Sequence, residues 1–191
     1  MTTILDLKPL IKLTSEEFYQ LCQINRDIPL ELSCNGELII MSPVGGETGK
    51  RESELNFQVS LWNHQTQLGV VFSSSTVFNL PNGGNRSPDV AWIKKERWEQ
   101  LTLEQRQKFP PICPDFVIEL RSPSDNLQPL KEKMQEYLDA GLSLGWLINP
   151  QDNTVEIYRP NQSVEILNLP VSLSGEDVLP NFNLFLESLS K

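Results

Sequence analysis

The segment from Asp115 to Pro150 constrains the fold more than any other part of the chain. It reads as an apolar run, "DFVIELR", an amphipathic stretch, "LQPLKEKMQEYLDAG", and a second apolar run, "LGWLINP". The outer runs have the length and composition of strands, and the middle stretch sets Leu130, Met134, Tyr137 and Leu138 on one helical stripe. Pro129 falls in the first turn of that helix and Gly141 at its end, where each residue type is favoured. A strand, a crossover helix and a strand in one sheet connect right-handedly, so the two strands are expected to be parallel.

The flanking sequence fills out the layers. "TVEIYRP" follows the second run after a turn at residues 151–153. Before the crossover, "VVFSSSTVFNLP" reads as one strand, "NGGNR" as a turn and "SPDVAWI" as a further strand with Pro88 at its start. "KKERWEQLTLEQRQKFPPICP" is a charged helical insertion closed by prolines. "GETGKRESELNFQVSLWNHQTQLG" is the longest helix, with Glu52, Leu55, Val59 and Trp62 on one stripe. At the N-terminus, "SEEFYQLCQIN" is a short helix capped by Thr14 or Ser15, and "LELSCNGELIIMSP" a hairpin with a two-residue turn at Asn35-Gly36. Residues after "TVEIYRP" read as a short strand and an irregular tail. The expectation is an α/β fold: a mixed β-sheet flanked by helices, with an N-terminal helix and β-hairpin extension, all in one domain over residues 1–191.

Composition excludes several classes of function. The cysteines Cys22, Cys34 and Cys113 are scattered, with no CxxC pair, and read as buried reduced thiols. The one histidine, His64, reads as a surface or capping residue near a helix end, so little material exists for a Cys/His or Ser/His nucleophile. There is neither a long apolar span nor a secretory signal pattern, which places the chain in the cytoplasm and away from membranes. A formal net charge of -9 opposes general affinity for polyanions, so a nucleic-acid role requires a local basic patch or a bound cation.

Two charges break the pattern of "DFVIELR". Side chains alternate along a strand, so Val117, Glu119 and Arg121 share one face, and in "SPDVAWI" Asp89 shares a face with Ala91 and Ile93. If the strands are neighbours, the carboxylates of Asp89 and Glu119 meet. Two such charges ~4 Å apart repel by roughly 4 kcal/mol at an effective dielectric of ~20. A shared proton, a cation such as Arg121 or Lys133, or a divalent metal would offset this, and hard oxygen ligands suit Mg²⁺ or Mn²⁺. A structural ion pair between Glu119 and Arg121 accounts for the pattern equally well. Lys50, Arg51, Arg86, Lys94, Lys95 and Arg97 offer cations for phosphate but read mostly as solvated faces, and Trp92 and Trp98 as aromatic core.

The Pro-Asp of "SPDVAWI", followed by Glu119 two residues before a basic residue in "FVIELR", resembles the signature of the PD-(D/E)XK nuclease superfamily. More specifically, "NGELIIMSP", "SPDVAWI", "CPDFVIELRSPSD", "KMQEYLDAGLSLGWLINP" and "TVEIYR", in this order, resemble the Uma-two endonuclease family over about residues 30–159. The resemblance implies a restriction-endonuclease-like fold and a Mg²⁺- or Mn²⁺-dependent endonuclease acting on DNA, with a homodimer left open. Its alternative is a catalytically silent nuclease-fold module that binds nucleic acid or protein. Asp89 and Glu119 would hold the metal, with the Leu120 carbonyl and Glu52 as further ligands. The superfamily lysine position is Arg121 here, which does not readily lose a proton. Lys133, at the margin of the helix stripe, is the replacement that the resemblance implies. Without it, Lys133 reads as a stem lying on apolar surface with its ammonium in water.

Overall fold

In the computed structural model, residues 2–8 and 10–187 are described. The N-terminal elements are β1 (Thr3–Asp6), α1 (Ser15–Ile24), β2 (Leu30–Leu32) and β3 (Glu37–Ile40). Thr14 and Glu17 form a reciprocal capping box that starts α1. The hairpin differs from the expected two-residue turn. Ser33 donates its N–H to Glu37, Gly36 donates to Ser33, and only Gly36 takes the left-handed conformation, at φ 85°. That is a three-residue loop ending in an αL glycine, because a two-residue type I′ turn needs positive φ at Asn35 as well.

The long helix is α2 (Gly46–Thr66), followed by β4 (Gly69–Ser73), β5 (Phe78–Asn79), β6 (Asn85–Arg86) and β7 (Val90–Lys94). Thus "VVFSSSTVFNLP" is two strands in two different sheets rather than one. The serine run turns the chain, with Thr76 donating to the Ser73 carbonyl. The charged insertion makes two short helices, α3 (Lys95–Glu99) and α4 (Leu103–Gln107). Next come β8 (Phe116–Leu120), α5 (Leu127–Asp139), β9 (Leu144–Asn149) and β10 (Thr154–Tyr158). After β10 the expected short strand is β11 (Glu165–Asn168), and the expected irregular tail holds two more, β12 (Val171–Ser174) and β13 (Asn183–Leu186).

The central sheet has the order β11-β10-β9-β8-β7-β4, and β8 and β9 are its parallel pair, joined by α5 as expected. A second sheet, β1-β3-β2-β6-β5, gathers the N-terminal hairpin, and β12 pairs with β13 alone. Strand alternation divides the central sheet into two cores. Val90, Trp92, Phe116, Ile118 and Trp146 face α2 through Leu55, Val59 and Trp62. Ala91, Ile93, Val117 and Leu147 face α5 through Met134 and Tyr137. Asp89 and Glu119, which share the faces of Ala91 and Val117, therefore point toward the α5 layer. Phe18 with Leu30 and Leu32 forms a third, smaller core under the N-terminal sheet.

Phe116 is wholly buried and meets Trp146 edge-on at 4.8 Å between ring centroids. Phe116→Ala is expected to lower unfolding free energy by about 3–5 kcal/mol in urea titrations.

Candidate active site

The register of the β7–β8 pair sets Val90 opposite Ile118 and Ala91 opposite Val117, which brings Asp89, one residue before β7, level with Glu119. Asp89 takes the place of a ladder partner: its Oδ2 accepts the Leu120 N–H at 2.6 Å. Glu119 is only 2% exposed, Asp89 is half-buried, and both line a broad cleft of about 1200 Å³ together with Leu120, Glu52 and Lys133. The cleft thus gathers the expected acids and the helix lysine.

Lys133 is buried rather than solvated, contrary to the reading of its position on the stripe alone. Its Nζ lies 2.8 Å from Glu119 Oε1 and 2.9 Å from Glu31 Oε1, and donates to the Ser87 carbonyl at 3.1 Å. Tyr137, one turn further along α5, donates its hydroxyl to Glu119 Oε1 at 3.1 Å. Arg121 is elsewhere. Its guanidinium reaches Asn149 and Asp152 at 3.2 and 3.4 Å and the Asp125 carbonyl at 3.2 Å, and it does not line the cleft. The expectation that Arg121 neutralises these acids is corrected: β8 ends at Leu120, so the alternation that paired residues 119 and 121 stops before Arg121.

Sequence reasoning missed the other half of this cluster. Glu31 lies between Leu30 and Leu32 of β2, whose apolar side chains enter the third core while Glu31 projects toward α5. Its Oε1 accepts the Ser87 N–H at 2.8 Å and its Oε2 meets Arg86 at 3.0 Å. Arg86, read from sequence among the solvated cations, is buried and reaches Glu136 of α5 at 2.6 Å. Glu136 accepts the Cys34 N–H at 2.9 Å, and a Cβ on Gly84 would stand 2.0 Å from its Oε1, so a larger residue there would displace the Glu136 carboxylate. A charge between two leucines in a short strand was the available signal for Glu31. Of the cysteines, only Cys113 is buried; Cys22 is half-buried and Cys34 exposed, all three free. His64 is exposed near the end of α2, as expected.

The electrostatics follow from crowding. Burial pushes the Asp89 carboxyl up to about 7; Lys133 and the Leu120 N–H oppose this, while Glu52 and Glu31 add to it. Burial pushes Glu119 up to about 8 against the attraction of Lys133, with Asp89 and Glu31 adding repulsion. Glu52 is raised by burial and by Glu119 and Asp125. Burial alone would raise Glu31 and lower Lys133. Lys133 and Arg86 outweigh it at Glu31, which lies below the usual range, and Glu119 and Glu31 outweigh it at Lys133, which lies above. Lys133 is accordingly a fixed ammonium rather than the proton acceptor a desolvated lysine would be. Among the described residues, no group of three or more His, Cys, Asp or Glu side chains stands ready-assembled around a metal position. The donor set nevertheless fits a hard cation in kind: Asp89, Glu119 and Glu52 are oxygen donors whose charges repel one another.

The raised acids give a signed pH dependence. Their folded-state values lie above those of the unfolded chain, so the native state holds more protons, and their contribution is fully present below the unfolded values and lost as pH rises through about 7 to 8. Thermal melts of the cation-free protein are expected to fall between pH 5 and 8.5. Asp89→Asn should flatten that slope and raise the melting temperature at pH 8.

An antiparallel half-sheet joined to a parallel strand-helix-strand unit, with acids aimed at the crossover helix, defines a restriction-endonuclease-like α/β fold. A solved structure described as a "putative nuclease belonging to DUF820" from Anabaena variabilis ATCC 29413 is similar, with a TM-score of 0.73 and 22% identity over 92% of this chain and 94% of that chain. The Uma2 family model, described as "Putative restriction endonuclease", matches residues 15–187, and the chain belongs to that family. The match is wider than the resemblance read over residues 30–159 and takes in α1 and the strands after β10. Among curated proteins, none matches. No helix among the described residues is long and apolar enough to cross a membrane.

Proposed function

We propose that this chain is a divalent-cation-dependent endonuclease that hydrolyses DNA phosphodiester bonds in the α5 cleft. The observation that carries this reading is the juxtaposition of Asp89 and Glu119 by strand register, with a fixed ammonium from Lys133 against Glu119. Asp89 and Glu119, with the Leu120 carbonyl and Glu52, would hold Mg²⁺ or Mn²⁺; the bound cation would polarise a phosphate oxygen and lower the pKa of a water. Lys133 presents a preorganised positive charge toward the negative charge that develops on the phosphate. Glu52, half-buried on the inward stripe of α2, adds a carboxyl that burial, Glu119 and Asp125 raise above its ordinary value. Direct neutralisation of Glu119 by Lys133 also supports a second reading, a nuclease-fold module that binds without cutting.

The test is a cleavage assay with Mg²⁺ or Mn²⁺ on single-stranded, duplex and branched DNA. Cleavage is expected in the wild type and absent in Asp89→Ala. Lys133→Ala is expected to lower kcat with little change in KM, whereas Arg121→Lys keeps substantial activity. No cleavage of any substrate, together with retained DNA binding, would select the binding module. Mg²⁺ is also expected to stabilise the fold by about 2.7 kcal/mol at a hundredfold excess over its Kd. A melting temperature indifferent to both cations would remove the metal site.

A further inference from the structure

We propose that Glu31, itself held by Arg86, is a positioning residue for this site, fixing the Lys133 ammonium against Glu119 from the N-terminal sheet. The inference rests on the cleavage reading of the same cleft. An ammonium has three hydrogens, and Lys133 has three acceptors: Glu119 Oε1 at 2.8 Å, Glu31 Oε1 at 2.9 Å and the Ser87 carbonyl at 3.1 Å. Two of the three come from the N-terminal sheet and the segment that leaves it, not from the central sheet that carries Asp89 and Glu119.

Glu31 is in turn fixed on both oxygens. Oε1 is shared between Lys133 and the Ser87 N–H, and Oε2 is paired with an Arg86 guanidinium whose other arm is anchored on Glu136. The carboxylate is buried, with both oxygens engaged. A lysine stem has several rotatable bonds, so contact with Glu119 alone would leave the ammonium free to swing around that carboxylate. Glu31 removes this freedom. The reacting end of the cleft is complete only when β2 is docked against α5. Glu31 itself need not touch the substrate.

The experiment uses the full chain with ¹⁵N-labelled lysine side chains and two variants, Glu31→Ala and the milder Glu31→Asp. The Asp variant keeps a negative charge beside Arg86 but withdraws the acceptor from Lys133 by one methylene, about 1.5 Å. A wild-type Lys133 ammonium resonance protected from solvent exchange, identified by its loss in Lys133→Arg, is expected to broaden or vanish in both variants. In turnover, Glu31→Asp should lower kcat about 100-fold, the scale of a misplacement near 1 Å, with KM nearly unchanged. In a Lys133→Ala background it should cost nothing further, since it acts through the ammonium. A protected resonance that persists in both variants, or kcat losses that multiply in the double variant, would overturn the proposal in favour of a purely structural ion pair. If the wild type cuts no DNA, the cleavage reading falls by itself, and the resonance alone decides whether Glu31 positions Lys133. Should Glu31→Ala fail to fold, Glu31→Asp carries the test.

Discussion

The ammonium of Lys133 is the point on which the architecture turns, because it ties together three parts that the backbone ladders leave separate. Glu119 belongs to the central sheet, Glu31 to the N-terminal sheet, and Lys133 to the helix between them. Among the described residues no strand pairing links the two sheets, so their mutual placement relies on side chains crossing this seam and on the apolar contacts around it. Withdrawing a charge from water costs several kcal/mol, which good geometry and complete hydrogen bonding must offset. Lys133 meets both conditions with three acceptors. Burial shifts the neighbouring acids upward, while the flanking Glu119 and Glu31 carboxylates keep the ammonium protonated against it.

The same seam bears on how an acidic chain would carry the proposed phosphodiester cleavage. At a net charge of -9, and with carboxylates outnumbering cations along the cleft, long-range electrostatics repel a polyanion. Divalent cations at Asp89 and Glu119 would reverse that field locally. Glu119 and Asp89 share the pleat face that looks at α5, and α5 returns Lys133 to that face one turn before Tyr137. Position and charge thus come from the topology: a crossover helix must lie over the sheet face it crosses, and any polar residue on its inner stripe must find a partner there.

Much of this was legible in the chain. The parallel pair, the crossover and the face shared by Asp89 and Glu119 follow from periodicities of two and near four, which local sequence records directly. Arg121 was misplaced because alternation was carried one residue beyond the end of β8, and strand ends depend on tertiary partners that a single sequence does not contain. Glu31 and Arg86 were missed for a related reason. Their roles depend on which sheets approach each other, a contact between residues more than fifty positions apart. The split at Ser73 and the three-residue loop at Gly36 show the same limit at short range, since a β-rich composition does not say where a run turns.

Glu136, Arg86, Glu31, Lys133 and Glu119 form a buried file in which acidic and basic side chains alternate. Removing Arg86, Glu31 or Lys133 takes a partner from two neighbours, and removing Glu136 or Glu119 takes one from a single neighbour. Gly84 extends this dependence to backbone, because a larger residue would push into the Glu136 end of the file. The five side chains are coupled neighbours, so the effects of substitutions among them do not add. An engineer seeking a new chemistry in this cleft would have to weigh them together.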